Sequence, residues 1–191
     1  MWSLQTGWFS AMTVIGDVPL FWPATAVVLV FAAGLAAWAG RILRTSKWSA
    51  FLLLISFGTI MAATMTPSVA AFFPVDRLGG CILGQFDVPP LSQLVYPNET
   101  SLNVALFVPL GIACGLLRRW SQVAGASMLA AGLPFGIEFI QYSVPALGRV
   151  CSTADVSANL TGLAVGLWAS IVAVRPISSL TSIDAVARGP R

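Results

Sequence analysis

Histidine is absent from this chain of 191 residues, and charge is scarce, with 9% of positions occupied by Asp, Glu, Lys or Arg. The missing imidazole excludes histidine bases and, with them, the usual zinc and haem ligation. The three cysteines, Cys81, Cys114 and Cys151, are far apart and make no C-x-x-C pair. No metal site is expected, and no cofactor can be named. A soluble domain carries about 25% charged residues to cover its surface. Here 57% of residues are apolar, so much of the surface must face lipid. Membrane lipids are therefore expected partners. The formal net charge is only +3, and no Lys/Arg cluster is dense enough to suggest nucleic acid. The N-terminus has no basic n-region and no small-residue cleavage site, so no removable signal peptide is expected.

A bilayer core about 30 Å thick takes roughly 20 apolar residues of helix. Runs of that kind predict an all-α polytopic transmembrane bundle of about five spans: Val18 to Ala39, Trp48 to Met65, a third beginning between Asn98 and Leu102 and ending at Leu117, Gln122 to Val144, and Ala154 to Val174. Eight of the ten basic residues fall in three segments: Arg41, Arg44 and Lys47; Arg118 and Arg119; and Arg175, Arg188 and Arg191. The positive-inside rule makes all three cytoplasmic, giving an N-out, C-in topology with a cytoplasmic tail over residues 177–191. Residues 1–17, with Trp2, Leu4, Trp8, Phe9, Met12 and Ile15, read as an amphipathic segment on the outer interface. The outer loop from Pro67 to Pro97 holds five prolines and three glycines among Phe72, Phe73, Ile82, Leu83 and Phe86. It is too interrupted for regular helix and too apolar for a solvated linker. It either caps the outer end of the bundle or dips into the membrane merely as packing.

Polar residues collect on that same side. Glu138 lies about 9 Å from the outer end of the fourth span, where a carboxylate is costly unless paired or reached by water. Gln141 shares its face at i+3. On the fifth span Asp155, Asn159, Gly162 and Gly166 are spaced four, three and four, so they form one stripe. Arg149 is the nearby cation, and Asn103 is the contribution of the third span. Glu138, Arg149 and Asp155 are the candidate catalytic or charged unit, with Asn103, Gln141 and Asn159 as candidate ligand-binding groups. Each also has a plain structural use. Asp155 can serve a helix N-terminus, Asn159 and Gln141 can be interhelical glue, and Arg149 can pair with Glu138 to lower its burial cost.

Three Gly-x-x-x-Gly spacings, 111/115, 132/136 and 162/166, permit close helix approach. Pro109 and Pro134 fall inside spans three and four, where each removes a backbone donor and favours a kink. Cys81 and Cys151 both lie in outer segments, so they are a candidate disulfide, the alternative being two free thiols. Cys114 reads as a small packing residue. Asn98-Glu99-Thr100 fits a glycosylation acceptor, a short pattern that matches often by chance.

"NVALFVPLG" at 103–111, "EFIQ" at 138–141, "GR" at 148–149 and "DVSANLTGLAVG" at 155–166 together resemble the VanZ-like family. Matched one at a time, its pattern falls on Asn103, Pro109, Gly111, Glu138, Gln141, Arg149, Asp155, Asn159, Gly162 and Gly166. Many members carry further acidic residues between the Arg and the last Asp, where this chain has Ser152 and Ala154. The resemblance implies a multi-pass protein of the bacterial plasma membrane. It also implies a link to resistance against teicoplanin, a lipid-tailed glycopeptide. Three readings follow: a cell-envelope protein whose outer polar pocket binds a lipid-linked precursor, a lipoglycopeptide or another amphiphile; an enzyme acting on a lipid-linked substrate, with Glu138 as acid or base; and a scaffold or accessory subunit.

Overall fold

The computed structural model describes residues 18–72, 80–84 and 86–187, with side chains described as far as residue 173. The interfacial segment expected over residues 1–17 lies outside the described residues, as do Asp76 and Arg77 of the outer loop and Arg188 and Arg191 of the tail. Helix α1 is Phe21–Ile42 and α2 is Lys47–Met65. Pro23 sits in the first turn of α1, where its missing N–H costs nothing. Ser46 caps α2 by accepting from the Ser49 N–H at 3.0 Å. Pro67 ends that helix by holding Thr66 extended, at ψ 143°. A four-residue helix α3, Leu91–Leu94, precedes α4, Glu99–Gly115. Asn98 caps α4 through a reciprocal pair: the Ser101 N–H donates to Asn98 Oδ1, and the Asn98 N–H donates to Ser101 Oγ, each at 2.9 Å. The residue that matched a glycosylation pattern is thus a helix cap. Helix α5 is Trp120–Ser143, and α6 is Thr153–Ala187.

Four helices are long and apolar enough to cross a membrane: Phe21–Ile42, Lys47–Phe72 when the 3-10 turn is included, Trp120–Ser143 and Thr153–Ala173. The remaining expected span is α4, a shorter apolar helix of 17 residues. At 1.5 Å per residue it covers about 26 Å, less than the full hydrocarbon core. The helical backbone of α6 continues to Ala187, beyond the expected stop at Val174. Pro109 and Pro134 each lie inside a continuous helix.

Burial divides the helices into a centre and a shell. Only 11% of the apolar window of α1 is buried, against 44% for α6. Phe31, Trp38, Met128, Leu129 and Trp168 point outward, as lipid-facing positions should. Ile60, Phe107, Leu110, Cys114, Ala130, Ile137 and Leu163 form the apolar core. The most extensive helix pair is α4 with α6. Its closeness comes from glycine: a Cβ at Gly162 or Gly166 would overlap the carbonyl oxygens of Val104 or Val108, and one at Gly111 would overlap that of Leu163. The pair Gly132 and Gly136 has nothing within 4 Å of such a Cβ, so that spacing makes no close helix contact.

The long loop folds back over the α5–α6 connection. Its 3-10 turn Val69–Phe72 faces a second one, Pro145–Leu147. Ser68 donates its N–H to the Leu147 carbonyl at 3.0 Å and its hydroxyl to that of Gly148 at 2.8 Å. Gly148 is left-handed, at φ 63°, and a Cβ there would overlap the Ala71 nitrogen. Strand β1, Cys81–Ile82, pairs in parallel with β2, Cys151–Ser152. A disulfide joins Cys81 to Cys151, with Cα atoms 4.4 Å apart.

Candidate functional site

The last turn of any helix leaves carbonyls without intrahelical partners. The C-terminal end of α2 is buried among polar groups that meet this need. Gln141 Nε2 donates to the Thr64 carbonyl at 3.2 Å, and Arg149 Nη2 donates to that of Ala63 at 2.6 Å. Thr66 Oγ1 turns back to the Ala62 carbonyl at 2.6 Å. A guanidinium at a helix C-terminus also faces the negative end of the helix dipole.

Glu138 and Gln141 stand three residues apart on α5, both 6% exposed, so they share one buried face. Glu138 Oε2 accepts from the backbone N–H of Ser152 at 2.6 Å. That N–H is aimed by its surroundings. Ser152 lies in β2, beside the disulfide at Cys151, while the Gly84 N–H donates to Thr153 Oγ1 at 3.0 Å on the other side. Asp155, in the first turn of α6, faces the side chain of Asn103 on α4. Asn159, one turn further along α6, is 2% exposed, and its Oδ1 has no partner among the described residues.

Arg149 unites these groups. Burial draws its guanidinium below the ordinary arginine value, and the charges of Asp155, Glu138 and Glu99, in falling order, push it back up. The Glu138–Arg149 contact considered from sequence is not a direct hydrogen bond: each has a backbone partner, and they interact across a gap. Arg149 Nε remains buried without a partner among the described residues. All six sequence candidates, Asn103, Glu138, Gln141, Arg149, Asp155 and Asn159, therefore come to one end of the bundle, together with Glu99. What sequence reasoning missed is backbone: the Ala63 and Thr64 carbonyls and the Ser152 N–H. Their only signal was the abrupt end of α2 at Pro67. Among the described residues no group of three or more His, Cys, Asp or Glu is gathered to hold a metal.

A bundle of apolar helices with a buried polar cluster at one end defines a polytopic α-helical membrane protein. The chain belongs to the VanZ/LLP1 family, whose model matches residues 21–174, the region containing all six candidates and every helix of the bundle but the end of α6. No curated protein and no solved structure matches the chain.

Proposed function

We propose that this chain is a cell-envelope protein of the bacterial plasma membrane, N-out and C-in, whose polar cluster at the outer end of the bundle holds the head group of a lipid-linked or amphiphilic molecule. The observation that carries this reading is a pair of unmatched buried atoms beside the carboxylates: the Arg149 Nε donor and the Asn159 Oδ1 acceptor. A group used only to glue helices finds its complement in a neighbouring helix, because an unsatisfied buried polar atom costs about 1–3 kcal/mol. Gln141 has such a complement in the Thr64 carbonyl, and Asn103 faces Asp155. Arg149 Nε and Asn159 Oδ1 have none, and together they suit a ligand that accepts and donates hydrogen bonds. Tolerance to a lipid-tailed glycopeptide is the phenotype to which the family name points.

Asn159→Leu tests the reading. It replaces an unmatched acceptor by an apolar group of similar size, so the protein should accumulate and melt as the parent does, or slightly higher. The tolerance it confers on a host lacking its own copy should be lost. Full tolerance in a normally accumulating variant would leave only helix packing. Glu138, its carboxylate fixed by one backbone N–H, also suits an acid or base acting on a lipid-linked substrate. Turnover of such a substrate by purified protein, lost in Glu138→Gln, would favour that enzyme reading.

A further inference from the structure

The opposite end of the bundle carries a second constellation, which the outer cluster does not use. The α1–α2 turn and the α4–α5 turn meet there, tied by Gln122 Nε2 donating to the Leu43 carbonyl at 2.6 Å. Between them lies an open cavity of about 490 Å³ lined by Gly40, Arg41, Arg44, Thr45, Lys47 and Arg118, with no acidic side chain among its walls. Arg41 Nε folds back onto the Ala37 carbonyl at 3.3 Å, and Lys47 Nζ sits 5.1 Å from the centre of the Trp48 ring. The guanidinium groups of Arg44 and Arg118 have no hydrogen-bond partner among the described residues. Thr45 Oγ1 is buried and unpartnered in the same wall.

The backbone supplies an independent sign that this wall is built. Helix α1 ends with the Thr45 N–H donating to the Gly40 carbonyl at 2.9 Å and the Arg44 N–H to that of Arg41 at 3.2 Å. This is the bonding of a Schellman cap, whose left-handed position is customarily glycine. Here it is Arg44, at φ 50°, the only described non-glycine residue with positive φ. An arginine held where glycine is favoured costs the fold stability, and such strain concentrates at ligand clamps. The N-terminus of the 19-residue helix α2 opens beside it, adding its partial positive charge.

We propose that this cavity is a binding site for the phosphate-bearing head group of an anionic phospholipid in the adjoining leaflet. The cations supply the charge, Arg44 and Arg118 supply unengaged guanidinium forks suited to phosphate oxygens, and Thr45 supplies a hydroxyl. The source is a lipid rather than free phosphate because three exposed indoles lie within two residues of the lining in sequence. Trp38, Trp48 and Trp120 are 58%, 70% and 61% exposed, and such rings mark the level of the head groups. Basic pockets between spans on the cytoplasmic side are a known mode of anionic lipid capture.

The test is native mass spectrometry of the detergent-solubilised full chain, titrated with phosphatidylglycerol, phosphatidylcholine or inorganic phosphate. Phosphatidylglycerol should form a saturable one-to-one adduct that phosphatidylcholine does not match and inorganic phosphate does not displace. Arg118→Gln should weaken it about fivefold, the share of one basic residue near a lipid surface, while Arg119→Gln, one residue outside the cavity, should not. Arg44→Gly relieves the left-handed strain, so it should raise the melting temperature and still weaken the adduct about fivefold. Equal loss in Arg118→Gln and Arg119→Gln would reduce the effect to bulk charge and overturn the proposal. So would an Arg44→Gly variant that melts higher and binds as before. Displacement by millimolar phosphate would overturn the lipid assignment in favour of a free anion.

Discussion

At the scale of single residues, the cluster separates groups with hydrogen-bond partners in the fold from groups without one among the described residues. Arg149 has both kinds, because one of its nitrogens caps α2 while another is unmatched. Arg149→Ala should therefore lower stability as well as the proposed head-group binding. Losing one charged hydrogen bond is worth about 1.5–3 kcal/mol, read as a drop in melting temperature of the purified protein. Glu138→Gln should behave differently. Its amide oxygen can still accept from Ser152 N–H, so stability should change by less than about 1 kcal/mol while the charge that faces Arg149 is lost. A melting temperature depressed as far as that of Arg149→Ala would show that the ionised carboxylate supports the fold itself. The side chains of this cluster were legible because i, i+3 and i, i+4 spacings declare a shared face. Their partners were not, since a carbonyl at Ala63 or an N–H at Ser152 is present whatever the side chain, and only the fold says which stay unmatched.

At the scale of elements, the three Gly-x-x-x-Gly spacings look alike in sequence and differ in structure. Gly162 and Gly166 lie against backbone of α4, whereas Gly132 and Gly136 lie against open space. Gly166→Val should separate α4 from α6 and cost about 1–3 kcal/mol by overpacking, with lower accumulation in membranes. Gly132→Ala should be neutral or stabilising by up to about 1 kcal/mol, the helix-propensity difference. Equal accumulation of both variants would contradict this assignment of the contact. The long loop depends on its staple instead. Cys81 and Cys151 close a separation of 70 residues, for which chain entropy allows at most about 4 kcal/mol. Alkylation of intact cells should label neither thiol until a reductant is added, and full labelling beforehand would exclude the bridge. Residues of such a loop carry no periodicity, so its parallel pairing with Cys151–Ser152 could not be foreseen from pattern.

For the whole molecule, hydropathy located the helices well because lipid imposes a length and an apolar composition that few other constraints can mimic. Its weakest reading was α4, where Asn98 begins a helix of 17 residues that the apolar run alone extends to Leu117. Orientation rests on charge. Arg41, Arg44, Lys47, Arg118 and Arg119 gather at the two turns that meet at one end, while Glu99, Glu138, Asp155 and Arg149 gather at the other. The positive-inside rule predicts that the first end is cytoplasmic. With α4 counted as a crossing, the α1–α2 and α4–α5 turns and the C-terminus must lie on one side, and the loop after α2 on the other. Reporter fusions at residue 45, residue 85 and the C-terminus should accordingly read inside, outside and inside. Because α4 is short, the fusion at the C-terminus decides whether it crosses, reading inside if it does and outside if it does not. If α4 did not cross, the α4–α5 turn would lie on the side opposite the α1–α2 turn, against the bond between Gln122 and Leu43. A cytoplasmic signal at residue 85 would reverse the assignment of the polar cluster to the outer leaflet, and with it the class of amphiphile that could reach Arg149 and Asn159.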